Sequence, residues 1–142
     1  MSFWALRHPP IDRTGRCIGQ TVVPLALPLV DAVQSVMQSA PIQPDTIVSS
    51  DLPRCADLAL AIADEMGTKV QLFAALREMS FGEWEGILFD ELDRNDHTRW
   101  RAWCADWQHE TPPGGESLPD FQNRIANWLT EYGPQKSTVV VT

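Results

Sequence analysis

Short β-type runs alternate with helical stripes along the 142 residues, and this alternation limits the possible folds more than any other feature of the chain. Residues 2–6, 46–50, 69–73 and 137–142 are brief apolar runs rich in β-formers, which predicts four strands. Between the first two, Leu29, Val30, Val33, Val36, Met37 and Ala40 recur at helical spacing, with Pro28 suited to the first turn and Pro41 just past the end. A second stripe of Cys55, Leu58, Ala59, Ile62, Ala63 and Met66 is opened by Pro53 and stopped by Gly67. Residues 88–107 read as helical with a break near Asn95 and Asp96. Ser117, with Asp120 three residues on, reads as the N-cap of a helix with Leu118, Phe121, Ile125, Trp128 and Leu129 on its apolar face and Gly133 as its stop. Parallel neighbours in a sheet need a crossover, so the expected fold is a three-layer α/β/α arrangement, a mostly parallel sheet with helices on both faces.

Charge and cysteine content exclude several function classes. Asp and Glu number 19 against 11 Lys and Arg, a formal charge of −8, and no run of basic residues supplies the stripe that nucleic acid or an anionic membrane requires. No apolar stretch reaches the length of a membrane span, and the first residues lead straight to Arg7 and His8 without a signal-peptide core, so a cytoplasmic protein is expected. Cys17, Cys55 and Cys104 are odd in number and widely spaced, which argues against a disulfide framework or a zinc cage. His97 and His109 have no metal-pair spacing either.

In parallel sheets ligands gather where the strands end, so chemistry is sought just after each strand. The first strand delivers Arg7 and His8. The second delivers Ser49 and Ser50, then Arg54 in the first turn of a helix, and the third leads to Glu78. A guanidinium matches two phosphate oxygens at once and a neutral imidazole can attack phosphorus, so two arginines and a histidine suggest a phosphate site. Spacing alone equally allows Arg7 and Arg54 to be surface charges paired with the acidic excess. No cysteine has an arginine six residues later and no G-x-x-x-x-G-K-[ST] loop is present, which removes cysteine-based phosphatases and the usual nucleotide hydrolases.

Five segments in order carry a resemblance. Leu6-Arg7-His8, Gly15-Arg16-Cys17-Ile18-Gly19-Gln20-Thr21, Ser49-Ser50-Asp51-Leu52-Pro53-Arg54-Cys55, Glu78-Met79-Ser80-Phe81-Gly82-Glu83-Trp84-Glu85-Gly86 and Pro112-Pro113-Gly114-Gly115-Glu116-Ser117 together resemble the histidine phosphatase superfamily, the phosphoglycerate mutase-like fold, and within it the small bacterial phosphatases of the alpha-ribazole type. The resemblance implies a phosphomonoesterase acting on a small phosphorylated metabolite, with no cofactor and no metal. It implies His8 as the nucleophile that becomes phosphohistidine, Arg7 and Arg54 as the clamp on the phosphoryl oxygens, and Glu78 as proton donor to the leaving oxygen. Gly19 and Gln20 fall on the loop that touches substrate in the family; a simple turn is the alternative for that loop. Trp100, Trp103 and Trp107 recur at helical spacing and read as core, and the Gly114-to-Ser117 corner as a turn and helix cap.

The chain departs from the family pattern at three places. Pro9 and Pro10 follow His8 where the family commonly has glycine, and proline removes a backbone N–H, so weaker phosphate binding is expected if that N–H contributes. Val22 stands where an aspartate is often seen. Family members also continue from a strand like Val139–Val141 into a second catalytic histidine, so residues 1–142 are read as a single, incomplete domain, about the first three quarters of a larger one. Phosphoglycerate mutase-type transfer, or a non-catalytic phosphoester-binding module lacking the second histidine, are the competing expectations.

Overall fold

The computed structural model describes residues 2–12, 14–39, 43–133 and 136–142. They form two compact units, one drawn from residues 2–12, 22–77 and 128–142, the other from residues 14–21 and 78–127. Among the described residues no helix is long and apolar enough to cross a membrane.

The first unit is built on strands β1 (Phe3–Leu6), β2 (Thr46–Ser50), β3 (Val70–Phe73) and β4 (Thr138–Val141), all parallel in the order β1-β4-β2-β3. β4 is buried along its whole length, as an uninterrupted Thr-Val-Val-Val run in an interior parallel strand should be. Helix α1 (Leu29–Ser39) links β1 to β2, and α2 (Pro53–Met66) links β2 to β3. Both move the chain in one direction across the sheet, and right-handed crossovers then place both helices on one face. Their apolar stripes meet there: Val33 of α1 and Cys55, Leu58, Ala59, Ile62 and Ala63 of α2 form one core with Ile47, Val139 and Val141. The return from β3 to β4 runs through α5 (Leu118–Tyr132), so its last turn belongs on the opposite face. There Trp128 meets Phe73 edge to face at 5.5 Å, and Tyr132 lies 5.0 Å from the same ring.

Local chemistry explains where α2 begins and ends. Pro53 occupies its first turn, where a missing N–H removes no helical bond. Gly67 closes it at φ +63°, with Gly67 N donating to Asp64 O and Thr68 N to Ala63 O, the two bonds of a Schellman cap. At the far end of α1, Ala40 and Pro41 lie outside the described residues.

The second unit packs around tryptophan. Trp84 stands edge-on to Trp100 and Trp103, Trp100 stacks with Trp103 and with Phe89, and Cys17, Ile87, Leu92 and Phe81 complete the cluster. Residues 88–107 divide into α3 (Phe89–Asn95) and α4 (His97–Ala105), with the break at Asp96, whose carboxylate accepts a 2.8 Å bond from Trp84 Nε1. Trp100 and Trp103 pack inward as expected, whereas Trp107 is 46% exposed because it lies beyond the end of α4 and leaves the helical stripe. Leu129 of α5 is likewise 46% exposed, so the apolar face of that helix is narrower than the sequence suggests. Ser117 caps α5 by accepting from Asp120 N at 3.1 Å.

Two outcomes follow for stability and reactivity. Ile62→Ala empties a fully buried position against β2 and β4 and is expected to lower the unfolding free energy by about 2–5 kcal/mol, measured by urea denaturation. Burial pushes the Cys17 thiol up to about 12, with Glu85 nearby adding to the shift, so with a thiol reagent the native protein should show one fast group, the exposed Cys104, while Cys17 and Cys55 react only on unfolding.

Candidate active site

In the first unit, parallel strands of matched register bring their carboxyl ends to one edge. Leu6 and Ser49 both stand opposite Val141, so β1 and β2 finish at the same level on either side of β4. His8 N donates to Thr142 O at 2.9 Å, which extends the β1–β4 pairing one rung beyond the strands. With strands about 4.8 Å apart, the segments after β1 and β2 emerge roughly 10 Å from each other.

After β1 come Arg7, exposed, and His8, half-buried, which share a groove with Pro9, Pro10, Asp31 and Ser35. His8 Nδ1 lies 2.6 Å from Pro9 O. A carbonyl can only accept, so Nδ1 carries a proton, and in the neutral form of the ring this leaves the lone pair on Nε2. After β2, Ser49 and Ser50 are buried and bonded locally: Ser49 Oγ donates to Ser50 O and Leu52 N donates to Ser50 Oγ. Arg54 follows in the first turn of α2 and is 5% exposed. The turn between them is fixed by Asp51, whose two carboxylate oxygens each accept a 2.6 Å bond from Arg77, at the end of the segment after β3. That fork of guanidinium donors holds the Asp51 carboxyl below its ordinary range.

The second unit carries the other sequence-predicted residues, and it brings them together. Gln20 Nε2 donates to Glu78 O at 3.0 Å. Arg124 Nη2 reaches the same carbonyl at 3.4 Å, while its guanidinium forks onto both oxygens of Glu116 at 2.7 Å. Glu116 in turn accepts from Ser80 N, and Glu116 N donates to Ser80 O. The Glu78–Ser80 backbone is thus held on several sides, and the exposed Glu78 side chain accepts from Met79 N at 2.8 Å. The Arg124 bonds hold the Glu116 carboxyl low. Glycine is required where the Pro113-Gly114-Gly115 corner meets this segment: Gly82 sits at φ +56°, and a Cβ there would lie 2.3 Å from Pro113 O.

The residue that sequence reasoning missed is Glu85. It lies in the quoted Glu83-Trp84-Glu85-Gly86 segment, but the letters do not say which acid turns inward. Glu85 is half-buried and accepts from Gln20 N and Phe81 N on Oε1, and from Gly19 N, Thr21 N and Thr21 Oγ on Oε2. Burial raises its pKa, and the bonds from the Thr21 hydroxyl and the Gln20, Phe81 and Gly19 amides outweigh burial, so the net shift is downward. Gly19 fits only without a side chain, since a Cβ would lie 2.2 Å from Met79 O. Among the described residues, no three His, Cys, Asp or Glu side chains converge as metal ligands would.

Comparison with known proteins places the fold and these segments in context. A family model described as "Histidine phosphatase superfamily (branch 1)" matches residues 3–142. The chain is similar to the adenosylcobalamin/alpha-ribazole phosphatase of Escherichia coli, 28% identical with all of this chain and 73% of that protein covered. The crystal structure of a putative alpha-ribazole-5'-P phosphatase from Escherichia coli superposes with a TM-score of 0.86 at 28% identity, covering 99% of this chain and 72% of that one. A glucosyl-3-phosphoglycerate phosphatase of Mycolicibacterium vanbaalenii is 39% identical over 95 residues, 67% of this chain and 42% of that protein. The α/β/α arrangement with its parallel sheet is the phosphoglycerate mutase-like fold. The chain belongs to the histidine phosphatase superfamily, branch 1, and is an enzyme of the phosphatase type.

Proposed function

We propose that the protein is a phosphomonoesterase that works through a phosphohistidine at His8. The observation that carries this reading is the 2.6 Å bond from His8 Nδ1 to Pro9 O, which fixes the tautomer with its lone pair on Nε2 at the carboxyl edge of a parallel sheet. In the first half-reaction Nε2 attacks phosphorus, the bond to the ester oxygen breaks, and Glu78 gives that oxygen its proton. In the second, water attacks the phosphohistidine, the N–P bond breaks, and the Glu78 carboxylate takes the water proton. Arg7 and Arg54 bind the phosphoryl oxygens and supply the positive charge that the transition state needs, so the chemistry runs without a metal. Arg54 favours an anion for a second reason: a cation in the first turn of α2 stands at the positive end of the helix dipole, and a bound phosphate offsets both.

The family model runs through both compact units, which supports reading residues 1–142 as a single, incomplete histidine phosphatase domain. The named relatives suggest substrates that are small phosphorylated metabolites, with alpha-ribazole 5'-phosphate the first to test and glucosyl-3-phosphoglycerate the second. Gly19 and Gln20 are the proposed substrate-contacting residues.

A rapid acid-free quench with radiolabelled substrate should trap acid-labile phosphate on the protein, and His8→Ala should abolish it; an active enzyme without label at His8 overturns the reading. Label that passes to a second hydroxyl compound rather than to water would identify a mutase, and phosphate binding without label or turnover a binding module. Arg54→Ala should lower kcat/KM by about 10²–10³-fold. Glu78→Gln should lower kcat/KM, which reports the first half-reaction, by about 10²–10⁴-fold on an alkyl phosphate and far less on 4-nitrophenyl phosphate, whose leaving group departs without a proton.

A further inference from the structure

We propose that Glu85 is a positioning residue for phosphoester binding: its carboxylate gathers the Gly19-Gln20-Thr21 backbone into one conformation and so sets Gln20 beside Glu78. The inference rests on the phosphatase reading above, in which that loop touches substrate. It starts from an imbalance of charge. A half-buried carboxylate ordinarily has a cation for company, as Glu116 has Arg124 and Asp51 has Arg77. Among the described residues Glu85 makes no ion pair; three successive main-chain N–H groups, a fourth from Phe81 and the Thr21 hydroxyl take that place, at 2.5–3.1 Å. Consecutive amides turned toward one point form the kind of concavity that elsewhere holds a phosphate. Here an internal anion fills it.

Two consequences tie this arrangement to the reaction. The loop comes so close to its neighbours that a Cβ at Gly19 would also lie 2.6 Å from Glu85 Oε1, so the backbone path is set by the carboxylate and the glycine together. With amides 19–21 fixed, the Gln20 side chain reaches Glu78 O, the main chain of the proposed proton donor. Glu85 itself is committed to five donors and holds its charge well below neutral pH, so it does not compete with Glu78 for the acid role. Glu83 points elsewhere, to Arg99.

The need is for charge and not for volume, which makes Glu85→Gln the informative variant. A glutamine side chain has the same size, but whichever way its amide lies, an NH2 group faces at least two N–H donors. In the wild-type protein the amide signals of Gly19, Gln20, Thr21 and Phe81 should titrate together, with a midpoint below the usual glutamate value of about 4.3. Since this folded-state pKa is depressed, the loop's protection is complete above the ordinary carboxylate range and is lost as pH falls through that midpoint. Glu85→Gln should speed hydrogen exchange at amides 19–21 by about tenfold or more and raise KM for 4-nitrophenyl phosphate by a similar factor, with a smaller change in kcat. Thr21→Val, which keeps the carboxylate and removes one donor, should raise the common midpoint and give a smaller loss of protection, and it serves if the glutamine variant fails to fold. Unchanged exchange in both variants overturns the proposal, and so does faster exchange with an unchanged KM. Phosphate label retained at His8 in either case leaves the phosphatase reading standing; absence of that label from the active wild-type enzyme overturns the phosphatase reading instead.

Discussion

β4 supplies no side chain to the proposed chemistry, yet the pairing of its backbone with β1 on one side and β2 on the other is what the arrangement depends on. Leu6 and Ser49 share Val141 as their opposite residue, and the His8 N to Thr142 O bond carries the register past the strand ends. A one-residue slip would turn Ile47, Val139 and Val141 away from α2 and move the segments after β1 and β2 out of step. The fully buried Thr-Val-Val-Val run makes such a slip costly, because each valine exchanged into a different environment forfeits its packing. Core packing therefore sets the level at which His8 and Arg54 leave the sheet.

Within each unit the protein uses carboxylates as internal fasteners. Asp51 holds the β2–α2 turn through Arg77, Glu116 holds the Ser80 backbone and is itself held by Arg124, and Glu85 holds the Gly19–Thr21 amides. Each has a lowered pKa for a local reason, in the first two cases a guanidinium fork and in the third a set of neutral donors that overcomes burial. The acidic excess of the chain is thus partly structural. A net charge of −8 and an anionic ligand are compatible because several of these negative charges are taken up by their own local partners, so the overall charge does not set the field beside Arg7 and Arg54.

Much of the fold was legible because it obeys periodicity. The α2 stripe from Cys55 to Met66, the proline at its start and the glycine at its stop need no long-range information, and neither does the break at Asp96 between two helices. The residues of the proposed site were reached by motif, since Arg7, His8, Arg54 and Glu78 each follow a strand. What periodicity could not show was which of several acids turns inward. Glu83 and Glu85 lie two apart in one motif, and only the 3-10 turn at Gly82–Trp84 together with the left-handed Gly86 decides that Glu85 faces the loop and Glu83 faces Arg99. Trp107 and Leu129 were misjudged for a related reason: a stripe continued past a helix end, or to its edge, meets solvent instead of a partner.

The two prolines after His8 show how the same letters can be read in opposite senses. Considered as a loss, Pro9 removes an N–H that could have faced phosphate. Considered as geometry, Pro10 biases Pro9 toward an extended backbone, because its ring crowds the preceding residue out of the helical region. That restriction limits where the Pro9 carbonyl can point, and it points to His8 Nδ1 at 2.6 Å. A carbonyl needs no N–H on its own residue to accept a proton from the imidazole. The pair therefore exchanges one donor for a stiffer acceptor, and in a phosphohistidine mechanism the acceptor is the more demanding requirement, since it determines which nitrogen holds the lone pair before the phosphoester arrives.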